Sequence, residues 1–438
     1  MKPEKIRYAI VGTGERAGVF IDAISGKFSD SSELVAFCDI SQTRMDWYNQ
    51  RLQQKFDKAA VPTWLAKDFE DMIFTSKPDT VIVTTIDSTH HIYIIRAMEL
   101  GCDVISEKPM TTDETRAAAI FEAIDRTGRN LQVAFNYRFS PLASKVRELI
   151  RDGAIGQPLH VAFNWTLDTA HGADYFRRWH REKENSGGLL VHKATHHFDL
   201  VNWWIDSTPC DVFAMGDVRF YGKSNAEARG ETYSYERYTG EKHAEDDPFA
   251  LRLDEREEFR GLYLDAEEDS GYIRDRNVFG DDITTEDTLS VTARYHCGAL
   301  LTYSLVAYSP SEGCRIAITG DKGRIEIGFE GRLGKTFVAC RNGNDSVESK
   351  TPIQVQPMFG EAYCVEIPHP ANGHGGSDPA MLERIFSQSP PQDDLCQNAT
   401  HHDGGASILM GVAANRSIET GALVKIEDLI PLQVTAKI

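Results

Sequence analysis

The ten residues VGTGERAGVF, Val11 to Phe20, constrain the fold more than any other part of the chain. They follow a short apolar run, IRYAIVG from Ile6 to Gly12, and open a helical pattern, with Gly12, Gly14 and Ala17 filling a GxGxxA spacing. In such a turn the first glycine lets the chain reverse tightly, the second lets the backbone approach a pyrophosphate, and the small third residue lets the helix lie close on the strand. The same form returns along the chain. LVAFCD (Leu34 to Asp39), DTVIVTT (Asp79 to Thr85), CDVISE (Cys102 to Glu107) and LQVAF (Leu131 to Phe135) are short apolar runs with helical segments between them. Strands of this kind belong to a parallel sheet covered on both faces. The reading is an α/β protein in which residues 1–135 form a doubly wound, Rossmann-type domain. Within it Thr111 and Glu114 are spaced as a capping box at a helix start.

Asp39 ends the second strand, where a carboxylate can accept hydrogen bonds from the adenosine ribose hydroxyls. The expected cofactor is NAD, held by Gly12, Gly14, Glu15, Arg16 and Asp39, while Arg44 nearby leaves NADP as the lesser alternative. Two more segments lie at strand ends, the rim on which such folds bind ligands: TTIDSTHH (Thr84 to His91) and SEKPM (Ser106 to Met110). In the second, Lys108 stands between Glu107 and Pro109. Partial burial there lowers a lysine's pKa, and a lysine titrating nearer neutrality can take a proton from an alcohol. A structural Glu–Lys surface pair is the plainer alternative.

Length and charge bound the rest. A chain of 438 residues that is 41% hydrophobic can bury a large core and is expected to divide into two domains. No apolar run approaches a membrane span and the opening MKPEKIRYAIVG goes straight into a strand pattern, so a cytoplasmic protein is expected. The net charge of -19 argues against nucleic acid or an anionic membrane as partner. Eight cysteines (Cys38, Cys102, Cys210, Cys297, Cys314, Cys340, Cys364 and Cys396) form no CxxC pair and read as buried free thiols. Residues 223–287 hold 20 acidic against 9 basic side chains, so this one stretch carries -11 of the total. It reads as an acidic insertion in the second domain, either a solvated helix or an oligomer contact.

The runs GTGERA, TTIDSTHHIY, EKPMTTDETRAA, NYRFSP and IGQPLHVAFNW, with GDKGRIEI (Gly320 to Ile327) and ANRSIETGALVKI (Ala414 to Ile426), resemble the Gfo/Idh/MocA family of oxidoreductases. The resemblance covers almost the whole chain, and the EKP triplet is its most specific mark. It implies a Rossmann domain followed, over residues 136–438, by an α+β domain on an open, largely antiparallel sheet, with a nicotinamide cofactor and a sugar-like substrate between them. A C-terminal helix near 404–420 and a homo-oligomer through the second-domain sheet are expected. The resemblance also implies that Lys108 is the catalytic lysine, that Thr85, Asp87, His90 and Glu107 lie near the cofactor, and that Tyr137 lies near the substrate.

The stretch GGLLVHKATHHFDLVNWW, Gly187 to Trp204, follows the same pattern with one departure. The family's helix usually carries an Asp and, four residues on, a His; here these positions are His192 and His196. Positions 192, 196, 199 and 203 share one helical face. A metal site would need a third ligand, none is evident, and the family's chemistry is hydride transfer without metal, so no metal is expected. A polar helix end satisfied by backbone groups is the second reading. The third, preferred, is substrate recognition and proton relay, with His196 on the reacting hydroxyl and His192 on a neighbouring one. Upstream, DTAHGADYFRRWHREKENSGG (Asp168 to Gly188) supplies Tyr175, Arg178, Trp179 and His180 as candidate substrate contacts, because a sugar ring has an apolar face and a polar edge. His374, in GHGGSDPAML, is a further candidate, with a helix-capping turn as its alternative. The expected function is NAD-dependent oxidoreduction of a secondary alcohol of a sugar or glycoside, a glycoside 3-dehydrogenase for example, with Lys108 as general acid and base. A glycosidase that oxidises its sugar transiently, and a non-catalytic NAD or sugar sensor, are the alternatives.

Overall fold

The computed structural model describes residues 5–332, 335–337, 353–367 and 376–430. Strands β1 (Ile6–Val11), β2 (Ser32–Asp39), β3 (Thr63–Leu65), β4 (Thr80–Val83), β5 (Asp103–Ser106) and β6 (Leu131–Val133) form the expected sheet in the order β6-β5-β4-β1-β2-β3. Each neighbouring pair is parallel. Helices α1 (Ala17–Ser25), α2 (Gln42–Phe56), α3 (Phe69–Ser76), α4 (His90–Glu99) and α5 (Glu114–Thr127) connect the strands. Ala9, Ile10, Phe37, Val81 and Ile82 are inaccessible to solvent, as strands buried on both faces require. The edge strand β3 escapes a reading by apolar runs because it is only three residues, TWL. The capping box at Thr111 does not form. Asp113 caps α5 instead, its carboxylate accepting from the Arg116 amide at 2.9 Å, while Glu114 pairs with Arg416 of the C-terminal helix.

The second domain is built on a ten-stranded sheet. Across it run Tyr363–Val365, Ile353–Pro357, Gly323–Arg332, Glu312–Gly320, Pro158–Asp168, Leu300–Ser309, Thr288–Tyr295, Pro209–Asp217 and Val424–Lys425, with Lys335–Phe337 beside Gly323–Arg332. Every described pairing is antiparallel except the central one, Pro158–Asp168 with Leu300–Ser309. Leu301, Tyr303, Leu305 and Ala307 alternate inward along their strand. Helices Ala194–Ile205 and His401–Thr420 pack together on that inner side, with Val201 and Leu409 fully buried. The C-terminal helix also lies close on the short helix Leu189–His192, because it carries glycine at 411, where a Cβ would lie 2.4 Å from the Leu190 carbonyl oxygen. The C-terminal helix begins at His401, and Thr400 and Asp403 form its capping box.

The chain returns to the first domain three times. Ala399–Thr400 pairs antiparallel with β6, adding a seventh strand. Helix Ser377–Phe386 sets Phe386 against Tyr8, Phe20 and Phe28. The acidic insertion is the third return, and it is not a solvated helix. It folds as short turns, and Leu253, Phe259, Leu262 and Tyr263 are buried with Met45 and Tyr48 of α2 in one apolar cluster. Part of its charge is spent internally, Arg237 bridging Glu267 and Asp275. The thiols also depart from expectation. Cys38, Cys102 and Cys314 are buried and Cys210 half-buried, but Cys297, Cys364 and Cys396 are exposed, in a turn, an edge strand and a loop; Cys340 lies outside the described residues. Among the described residues no helix is long and apolar enough to cross a membrane.

Candidate active site

Strand order reverses between β1 and its two neighbours, β2 and β4, and ligands of open α/β sheets bind at such a point. Gly12 sits there at φ 88°, and a Cβ on it would lie 2.6 Å from the Thr84 carbonyl carbon, so only glycine fits against the end of β4. Around Gly14 a Cβ would meet nothing within 4 Å, which leaves the open approach a pyrophosphate needs. Asp39 is 5% exposed, and its carboxylate accepts from the Thr13 amide and, at 2.8 Å, from the Ser41 amide. Each oxygen keeps a lone pair for a ribose hydroxyl. These residues fit a dinucleotide.

Arg16 behaves otherwise than a plain cofactor contact. Its Nε donates to Glu107 and its two terminal nitrogens to Asp378 at 3.1 and 3.0 Å, and Asn136 donates to the same carboxylate at 2.8 Å. The side chain thus ties the glycine turn to the EKP loop and to helix Ser377–Phe386. Glu15 contributes its amide, which donates to the Tyr263 hydroxyl of the insertion at 3.3 Å. Neither Asp378 nor Tyr263 is visible in sequence spacing, because each lies more than two hundred residues from its partner.

The EKP loop follows β5, and its Lys108–Pro109 peptide is cis. Glu107 is buried and also accepts from the Lys108 amide at 3.1 Å. His90 opens α4 with Nδ1 2.8 Å from the Pro109 carbonyl and Nε2 3.1 Å from the Thr85 carbonyl. Thr85 accepts from Thr89 at 2.8 Å. His90 and Thr85 therefore clamp the two strand-end loops together, which positions Lys108 and Asp87 between them.

Lys108 Nζ donates to the His192 carbonyl at 3.3 Å. Burial pushes its amine down to about 8, against the opposing pull of Asp87 and Glu107. Asp87 is 3% exposed, and its carboxyl is raised well above the usual range by burial, with Lys108 and Arg178 pulling the other way. Its Oδ2 stands 2.5 Å from His192 Nδ1, and burial drives the imidazole well below its ordinary value. Both partners are thus favoured neutral, with one proton in the bond between them. The His180 ring lies 4.1 Å from His192, Trp179 stacks on His180 at 3.6 Å, and Tyr175 lies 5.6 Å from His192. Arg178 donates to Asp174. Burial would raise that carboxyl, but Arg274, Arg178 and Arg177 hold it well below its usual range.

The stretch expected as one helix is broken at Lys193 into Leu189–His192 and Ala194–Ile205. His192 and His196 do not form a chelating pair: the first bonds Asp87, and the second stacks on Tyr137 at 4.1 Å with an interplanar angle of 9°. Lys193, next to His192 in the chain, lies inside the site. Its Nζ donates to the Tyr137 hydroxyl at 3.4 Å and sits 5.3 Å from the Trp165 ring centre. Burial would lower its pKa, yet Tyr137, Tyr175 and Glu312 raise it. The site so holds one lysine poised near neutrality and one kept charged. Sequence offered no signal to separate Lys193 from a lysine at a helix end. His197 is structural, its Nδ1 2.8 Å from the Tyr303 hydroxyl among Phe163 and Trp165. Asp199, expected on the same face, receives a bidentate bond from Arg138 at 2.8 and 2.6 Å. His374 lies outside the described residues.

A dinucleotide turn after β1 and a buried lysine of lowered pKa after β5, at the carboxyl ends of strands of one parallel sheet, define a nicotinamide-dependent oxidoreductase. The chain belongs to the Gfo/Idh/MocA family: residues 6–135 match the oxidoreductase family's NAD-binding Rossmann fold and residues 147–426 its C-terminal alpha/beta domain. It is 33% identical over 443 residues to a Bacillus subtilis (strain 168) protein named as the oxidoreductase YteT, covering 96% of this chain and 98% of that one. A D-glucoside 3-dehydrogenase of Escherichia coli (strain K12) is 29% identical over 202 residues, 45% of this chain and 54% of that protein. An aldose-aldose oxidoreductase from Caulobacter crescentus, crystallised with glycerol, shares the fold at a TM-score of 0.62 and 18% identity, covering 96% of this chain and 100% of that one.

Proposed function

We propose that this protein is an NAD-dependent dehydrogenase of a secondary alcohol in a sugar or glycoside. The observation that carries the reading is the Lys108 amine, brought down to about 8 beside the buried Asp87–His192 pair. A bound nicotinamide would accept or return the hydride. Neutral Lys108 takes the hydroxyl proton as the alcohol is oxidised, and its ammonium form returns that proton in reduction. His192, anchored through Nδ1, keeps Nε2 for a substrate hydroxyl, and His196 with Tyr137 and Lys193 binds others. Tyr175 and Trp179 offer apolar ring faces to the sugar, with His180 and Arg178 as polar contacts. Asp39 supports NAD over NADP, since a carboxylate repels a 2'-phosphate. The E. coli relative's name supports a glycoside as substrate.

The test is turnover of NAD with free sugars, inositols and glycosides, following NADH absorbance and aglycone release together. NADH accumulation with one of these alcohols supports the reading. Aglycone release without NADH identifies a hydrolase that oxidises transiently, and tight NAD binding with no turnover on any of them identifies a sensor. The lowered lysine pKa also sets a pH dependence. Oxidation needs the neutral amine, so its kcat rises as pH climbs through about 8, whereas kcat for reduction falls through the same range. Lys193→Met removes a neighbouring cation that helps depress Lys108, so both midpoints move to higher pH; unmoved midpoints would remove Lys193 from the electrostatics of the site. Self-association through the second-domain sheet is part of the proposal, supported by exposed Leu159, Met215 and Leu300 on its strands.

A further inference from the structure

The insertion meets the Rossmann domain at the end of the cleft that would hold the adenosine ribose. In such folds an acidic residue after the second strand binds the ribose hydroxyls, and a 2'-phosphate, when present, is taken by an arginine close by. Here the acid is Asp39 and the arginine is Arg44, whose Nη1 lies 3.8 Å from Asp39 Oδ1. The start of α2, next to them, offers the donors an anion uses: the Ser41 hydroxyl, the Thr43 amide and the positive end of a 15-residue helix. Both features are already engaged by the insertion. The Asp269 carboxylate accepts from Ser41 Oγ at 2.8 Å and from the Thr43 amide at 2.9 Å. Arg44 Nε donates to the Leu262 carbonyl at 2.9 Å, and its guanidinium lies 5.7 and 5.9 Å from the ring centres of Tyr263 and Tyr272. Arg44 is 8% exposed, and its Nη2 has no hydrogen-bond partner, so a buried cation keeps spare donor capacity at this spot.

We infer that the acidic insertion is a cofactor-selectivity element: Asp269 occupies the place of a 2'-phosphate, and the grip of Leu262, Tyr263 and Tyr272 on Arg44 withholds the arginine that would bind one. This rests on the reading of the cleft as an NAD site. A carboxylate on those donors does more than fill them, because it faces any incoming phosphate with like charge at short range. The bonds to Thr43 and Ser41 hold the Asp269 carboxyl below its usual value, so it stays charged throughout the neutral range.

The experiment compares the dissociation constants of NAD and NADP, by quenching of protein fluorescence, for the wild type, Asp269→Ala and Asp269→Asn. The expected result is a wild type that prefers NAD and variants in which the NADP/NAD affinity ratio rises about 10- to 100-fold, the size of one recovered charge-assisted phosphate bond. Adding Arg44→Ala to Asp269→Ala should leave most of that gain, because the donors recovered are Ser41 Oγ and the Thr43 amide while Leu262, Tyr263 and Tyr272 still hold Arg44; loss of the gain would overturn the withholding of Arg44. A variant that merely loosens the insertion would weaken both nucleotides alike and leave the ratio where it was. A wild type that binds NAD well, with ratios unchanged in both variants, overturns the role given to Asp269 and leaves the NAD reading standing. A wild type that binds neither nucleotide, or prefers NADP, overturns both.

Discussion

Replacing Lys108 with alanine is expected to lower kcat for alcohol oxidation by about 100- to 10,000-fold, the range a positioned proton acceptor contributes. NAD affinity should stay close to wild type, because the features that fit the dinucleotide, Gly12, Gly14 and Asp39, lie on other loops. Stopped-flow measurement of NADH formation together with fluorescence titration of NAD separates the two quantities. His192→Ala should act differently. It removes the proton-sharing partner of Asp87, leaving a buried carboxyl beside Lys108, and it removes a proposed ground-state contact to substrate. A rise in KM larger than the fall in kcat is the expected signature of lost uniform binding. Near-normal kcat for Lys108→Ala on the best substrate found would exclude this lysine as the acid–base group, and the sensor reading would gain.

The second large effect is on stability. Arg138 is fully buried, and it makes a bidentate bond to Asp199, itself 1% exposed, and a further bond of 2.9 Å to Asp403. Burial opposes its charge, but the two carboxylates outweigh that and raise its pKa. Through this one guanidinium the segment joining the domains is tied both to the helix that carries His196 and to the C-terminal helix. Arg138→Leu takes the counter-charge from two carboxylates at once. Breaking a buried pair in this way costs about 3–5 kcal/mol, a large part of the ~5–15 kcal/mol that holds a typical domain folded. Urea denaturation should show the midpoint falling sharply. Arg138→Leu combined with Asp199→Leu should recover part of the loss, since replacing both members of a buried pair is far cheaper than orphaning one. A midpoint unchanged by Arg138→Leu alone would mean that the pair gives no net stability.

Sequence by itself determined the first domain and its dinucleotide turn, because the signals there are local. A strand buried on both faces must be apolar along its length, and a turn that lets a pyrophosphate near the backbone must be built of glycine; the strands at Ile6, Asp79, Cys102 and Leu131 and the turn at Gly12 follow directly. Lys108 was legible for the same reason, as an amine at a strand's carboxyl end beside a proline. The tertiary structure alone decided what those groups face. Asp87 meets His192 across 105 residues, Arg16 meets Asp378 across 362, and Ser41 meets Asp269 across 228. The insertion's charge count pointed to solvent or to another subunit, whereas its apolar residues bring it back onto α2. Nothing local marks Lys193, which the break in the helix places among Tyr137, Trp165 and Tyr175. Periodicity and turn chemistry are constraints a chain imposes on its neighbours within a few residues. The partner of a buried charge is set instead by where distant segments return, and no local pattern carries that information.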